Sequence, residues 1–255
     1  MTNKAPRISK TQKLDEIILA KSEFQRTAMT ARLNWLRAGV LGANDGIMST
    51  SGMVLGVAAG SAATADSSTA ILVAGVAAVV AGSISMAGGE YTSVSAQRDS
   101  EKAALKIEAK ELKDNPELEL RELAFFYEEK GLSAAVAAQV AKELTAKDAL
   151  KAHAEAEFGI DSDNHASPTQ AALSSLIAFA VGGMLPLLSV TGPWIDYRIQ
   201  ATIVATVASL ALTGYVGAKL GGAKPARGII RNLVVSLLTM GITYGIGHLV
   251  GTTLV

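Results

Sequence analysis

Residues 67–89 read SSTAILVAGVAAVVAGSISMAGG, twenty-three positions without a single Asp, Glu, Lys or Arg before Glu90. A helix needs roughly 20 mostly apolar residues to cross a bilayer, so this stretch reads as a membrane span. Four more segments belong with it. From Ala38 to Ala65 the only charge is Asp45, and Ala166–Ile195, Ile199–Ala218 and Asn232–Val255 carry none. Runs this long and this uniformly apolar exceed buried strands and ordinary amphipathic helices. The expected fold class is all-α: a polytopic membrane protein with five transmembrane helices and a three-helix cytoplasmic insert between the second and third. The expected domains are a cytoplasmic arm 1–32, transmembrane helices 1–2 over 33–97, the insert over 98–165, and transmembrane helices 3–5 over 166–255.

Composition agrees with packed membrane helices. Gly occupies 24 of 255 positions while Phe and Trp together supply seven, a mixture that favours close helix approach over an aromatic soluble core. The chain has no cysteine, which removes disulfides, thiolate zinc sites and iron–sulfur clusters. The polar N-terminus lacks the early apolar core of a cleaved signal peptide. No Walker-type phosphate loop, H-E-x-x-H or G-x-S-x-G is present, so neither ATP hydrolysis nor a hydrolase is expected, and the chain reads as a non-enzyme without a prosthetic group. Nothing in it points to nucleic acid.

Lys and Arg number eight in the N-terminal arm to Arg37, ten in the insert and four in the loop at 219–231. Only Arg198 falls on the other side. That bias places the N-terminus, the insert and the 219–231 loop in the cytoplasm. Short far-side loops suit a bacterial inner membrane. Glycines recur at four-residue spacing in Gly42/Gly46, Gly52/Gly56/Gly60, Gly217/Gly221, Gly241/Gly245 and Gly247/Gly251. Such spacing serves packing within one chain or between protomers, and spacing alone does not separate them.

An ionisable residue within a span is costly and is by default a functional candidate. Asp45 sits in Asn44-Asp45-Gly46, a poor helix-forming step expected to loosen the backbone and offer carbonyl oxygens. Met86 and Glu90 stand four residues apart on one helical face. A thioether and a carboxylate beside a second carboxylate suit a first-row divalent metal. No basic residue lies mid-span, so the expected counter-charge is a bound cation or a proton. Exchange of one for the other is antiport chemistry.

Beyond Glu90 the helical pattern runs to about Lys113, before Asn115-Pro116 stops it. Glu101, Glu108 and Glu111 fall on one side of that helix and its lysines on the opposite one. A second helix over about 117–130 repeats the spacing with Glu119 and Glu122. Ser133 is the expected N-cap of a third helix, ending near Gly159 and carrying Glu143, Asp148, His153, Glu155 and Glu157. Paired carboxylates on three helices suit a module for hard metal ions, although a solvated acidic surface has the same composition. His165 and His248 are isolated.

These residues resemble a known family. Leu36–Ile47, Ser49–Gly56 and Ala81–Val94, with Gly182-Gly-Met-Leu-Pro186 further on, are similar to the vacuolar iron transporter (VIT) family over roughly residues 33–255. The resemblance implies a homodimer of five-span protomers exporting Fe²⁺, and often Mn²⁺, from the cytoplasm in exchange for protons. It also implies a cytoplasmic metal-binding domain of three helices. Asp45, Met86 and Glu90 fall in the family's translocation segments, and Glu108, Glu111, Glu119 and Glu122 look like its paired glutamates. Relatives use methionines in the third helix, but this chain has none between Met86 and Met184, which leaves Glu143, His153 and Glu157 as substitutes. The competing function is a membrane-anchored metal sensor or buffer without transport.

Overall fold

A computed structural model describes residues 37–61, 67–161 and 166–253. The arm 1–32 and His165 lie outside the described residues. Those described form helices and no strand: α1 (37–60), α2 (Ser67–Asp114), α3 (Pro116–Glu129), α4 (Ala134–Ala156), α5 (Pro168–Val190), α6 (Arg198–Leu220) and α7 (Pro225–Thr253), with a 3₁₀ turn at Ile195–Tyr197. Residues Thr92–Pro168 pack as one unit and the rest as another.

In the first unit large apolar side chains face outward as well as inward, unlike those of a water-soluble bundle. Large apolar side chains point outward, Val204 at 68% exposure and Leu249 at 63%, while Thr202, Thr206, Ser175 and Ser236 are fully buried. Hydrocarbon around the bundle explains the first group, because lipid tails are as apolar as the side chains they meet. Several spanning hydroxyls satisfy themselves on the preceding turn, as Thr202 Oγ1 does by donating to Arg198 O at 2.7 Å. Among the described residues α2, α5, α6 and α7 are long and apolar enough to cross a membrane.

Helix α1 is not among those four, and packing explains why it need not be as apolar. Its Ile47, Val54, Leu55 and Ala58 are buried to 1% or less, so other helices rather than lipid cover most of it. Glycine makes that enclosure possible. A Cβ at Gly46 would overlap the Phe179 carbonyl of α5, one at Gly182 would overlap Ala43 of α1, and one at Gly247 of α7 would overlap Gly56 of α1. Gly217 of α6 faces Val40 of α1. The repeats in 42–60 and 247–251 therefore serve contacts within one chain, whereas Gly241 and Gly245 face open space. Val54 and Ala58 of α1 also share a core with Ile71 of α2 and Val190 of α5.

The second unit contains the end of α2 and all of α3 and α4. Leu123 and Ala124 of α3 pack on Ala141 and Ala152 of α4, flanked by Leu120, Tyr127 and Leu144. Pro116 opens α3 at a position where its missing N–H is not needed. One local expectation holds in position only, and another fails. Ser133 occupies the N-cap of α4 but its side chain makes no capping hydrogen bond. Nor is α4 one continuous helix: Asp148 is extended (φ −164°, ψ 97°), and its Oδ1 accepts the Lys151 amide at 3.0 Å. Asp148 thus starts a second helical segment in the manner of an N-cap.

Candidate metal sites

On α1 the exposed positions Arg37, Leu41, Ser49 and Met53 recur every four residues, and half-buried Asp45 completes the series. This is the open stripe of an otherwise enclosed helix. Asp45, Ser49 and Met53 line a cleft of about 520 Å³ whose opposite wall is α2, with Gly82, Ser85, Met86 and Glu90, and whose floor includes Phe179. The two carboxylates and the thioether are therefore brought to one cleft.

The backbone there differs from the sequence expectation. α1 is helical through Asn44-Asp45-Gly46, and the Asp45 carbonyl accepts the Ser49 hydroxyl at 2.5 Å. Gly46 is required by the Phe179 backbone beside it, not by a break in the helix. Counter-charge also differs. Arg37 Nη2 lies 3.2 Å from Glu90 Oε1, so a cation just outside the apolar run pairs with a carboxylate of the cleft. Its long side chain makes that pairing possible.

Asn44 turns to the other side of α1. Its Oδ1 accepts from Thr213 Oγ1 of α6 at 2.6 Å and from Asn232 Nδ2 of α7 at 3.2 Å. Hydrogen bonds between helices fix the rotation of α1, and with it the direction in which the next residue points.

In the second unit Glu108 of α2, Glu119 of α3 and His153 of α4 are all buried, and each offers a ligand atom within 4.8 Å of the others. His153 Nδ1 is 2.9 Å from Glu108 Oε1 and 3.8 Å from Glu157 Oε2. Yet these three atoms, and His153 Nε2, make no hydrogen bond within the described residues. A buried polar atom without a partner costs about 1–3 kcal/mol. The close pair also has the spacing of neighbouring ligands on a six-coordinate ion, because bonds of about 2.1 Å at right angles put them roughly 3 Å apart. Burial first, then the charges of Glu119, Glu111 and Glu122, raises the Glu108 pKa above the usual carboxylate value. Glu119 is raised by burial and then by Glu122, and Glu157 by burial and then by Glu108. The cluster is short of positive charge.

The VIT family model matches residues 36–248, a span that holds both the cleft and the buried cluster. The chain belongs to the VIT family. A vacuolar iron transporter of Acanthamoeba castellanii is 41% identical over 218 residues, covering 84% of this chain and 78% of that protein. Vacuolar iron transporter homolog 5 of Oryza sativa is 37% identical, over 87% of this chain and 83% of its own. Vacuolar iron transporter homolog 3 of Arabidopsis thaliana is 33% identical over 92% of both. These names describe transporters and their homologues rather than enzymes.

In this VIT-family chain ten residues were expected to be ligands from the sequence. Asp45, Met86 and Glu90 meet in the cleft; Glu108, Glu119 and His153 meet in the insert, with Glu157 at the edge. Glu111 and Glu122 act on that cluster through their charge. Glu143 is exposed and accepts from Gln139 Nε2 at 3.0 Å, outside the group. In an unbroken helix Glu143 and Glu157 would lie about 40° apart. The extended residue at Asp148 removes that register. Ser49, Met53 and Ser85 of the cleft were not singled out by sequence, although Met53 lies two helical turns after Asp45 on the same stripe. His248 is exposed on α7.

Proposed function

We propose that the chain moves a first-row divalent metal ion, Fe²⁺ or Mn²⁺, out of the cytoplasm in exchange for protons. The observation that carries this reading is the convergence of Asp45, Met86 and Glu90 on one cleft between α1 and α2. An anchoring helix gains nothing from a carboxylate in its apolar middle, whereas a cation pathway needs one. Carboxylate oxygens and a thioether accept both metals, and a ligand that gives up its proton to bind metal couples the two fluxes. The printed names of the relatives support iron as cargo.

In this reading α1 is the first of five crossings, tolerated as a less apolar span because its neighbours enclose it. The Lys/Arg-rich arm, the insert and the 219–231 loop face the cytoplasm. Glu108, Glu119, His153 and Glu157 hold metal captured there, and Glu111 and Glu122 strengthen the negative field. The reading includes a second copy of the chain. Met53 is half exposed although it lines the cleft, which leaves room for a wall supplied by a homodimer partner.

Sealed proteoliposomes with an acidic interior test the proposal. Fe²⁺ or Mn²⁺ added outside should accumulate as protons leave, and collapsing the pH gradient should stop accumulation. Metal binding without gradient-dependent accumulation would favour a membrane-anchored buffer instead.

A further inference from the structure

A second large cavity in the membrane unit, about 860 Å³, shares no lining residue with the metal cleft. It lies between α1, α6 and α7. Its lining includes Arg37, Lys224, Arg227 and Arg231, with Thr213 and Asn232 among its half-buried polar groups, and contains no Asp or Glu. Four cations lining one cavity give it a positive potential that favours an anion there. Arg37 has Glu90, but Lys224, Arg227 and Arg231 have no ion-pair partner among the described residues.

The position selects the anion. α6 ends at Leu220 and α7 begins at Pro225, and both are candidate spans, so the cations stand where two spans leave the hydrocarbon. Beside them Leu41, in the cavity wall, and Leu220, Ile230 and Val234 are all exposed. Cationic side chains above an outward apolar surface match a molecule with a phosphate at one end and acyl chains at the other. Basic pockets between spanning helices on the cytoplasmic side have this chemistry. The N-terminal amides of the 29-residue α7 add positive potential at the same place. The chain's own arm is a poor occupant, since residues 1–36 contain seven Lys/Arg against three Asp/Glu.

We infer that this cavity binds the headgroup phosphate of an anionic phospholipid, with Lys224, Arg227 and Arg231 as its principal contacts. The site stands apart from the transport reading and holds whether or not the cleft carries metal.

The test uses the purified full chain in neutral detergent, with native mass spectrometry and thermal unfolding as readouts. Phosphatidylglycerol should add in discrete steps and raise Tm, whereas phosphatidylcholine and inorganic phosphate should not. Arg227→Gln/Arg231→Gln should weaken phosphatidylglycerol binding by roughly 30-fold, the product of two lost surface charges. Arg198→Gln, a cation outside the cavity, should leave it unchanged. If the double variant does not fold, Lys224→Gln alone should weaken binding by about 5-fold. Equal binding by wild type and these variants, or equal stabilisation by phosphatidylcholine, would overturn the inference. Stabilisation by inorganic phosphate alone would mean a free-anion site and would equally overturn the lipid assignment.

Discussion

His153 Nδ1 and Glu108 Oε1 stand 2.9 Å apart in the core of the insert, and neither atom makes a hydrogen bond within the described residues. Two buried polar atoms this close without a hydrogen bond have the spacing of adjacent ligands to a cation lying beside them. The raised Glu108, Glu119 and Glu157 pKa values fix the pH dependence. Their folded values exceed the unfolded ones, so the metal-free insert binds extra protons when folded. Its stability is greatest below the ordinary carboxylate range and falls as pH rises through the folded values. Hydrogen exchange of the full chain should therefore show the insert better protected at pH 5 than at pH 7.5 without metal. Mn²⁺ should restore protection at pH 7.5 and add little at pH 5. Glu108→Gln should weaken Mn²⁺ binding by roughly tenfold or more. Protection that is independent of pH and of metal would contradict a cation site.

Asp148 separates the two halves of α4 and caps the half that carries His153 and Glu157. Asp148→Ala should cost about 1 kcal/mol in the insert, as cap removal does elsewhere. Asp148→Asn should restore most of it. Exchange rates confined to residues 149–157 would report the loss, and an effect spread evenly over α3 and α4 would refute this role.

Helix α1 is held by backbone contacts that only glycine permits. Gly46→Ala would drive a methyl group into the Phe179 carbonyl and should destabilise the membrane unit by about 1–3 kcal/mol. Gly241→Ala meets nothing within 4 Å and should not destabilise, Ala being the better helix former. Thermal unfolding in a neutral detergent distinguishes them, and equal behaviour would remove the packing argument.

These contacts also mark what sequence could reveal. The uncharged run at 67–89 is unambiguous because hydrocarbon demands continuous apolarity. The end of α2 and the start of α3 were legible from Asn115-Pro116, and the candidate carboxylates Asp45 and Glu90 from their cost in a span. Partner choice was not legible. Glycine spacing is identical for a contact within a chain and one between copies, so assigning 42–60 to α5 and α7 needed coordinates. The break at Asp148 was hidden because Thr145-Ala-Lys-Asp-Ala-Leu150 contains neither Gly nor Pro. Arg37 was missed as a partner of Glu90 because the two are 53 residues apart and Arg37 lies outside the apolar run.

The Arg37–Glu90 pair competes with any cation that needs Glu90. Arg37→Gln should lower the half-saturating metal concentration for transport about two- to five-fold, the range expected for an exposed ion pair. A higher half-saturating concentration would show instead that Arg37 organises the cleft.

Asp45 is the carboxylate that transport through the cleft requires, and Asp45→Asn keeps its size while removing its charge. Fe²⁺ or Mn²⁺ accumulation driven by an outward proton gradient should be measured in proteoliposomes of wild type and Asp45→Asn, with metal binding by the insert monitored in parallel. Accumulation should fall to the level of protein-free vesicles while the insert still binds metal. Undiminished accumulation in Asp45→Asn would contradict that requirement.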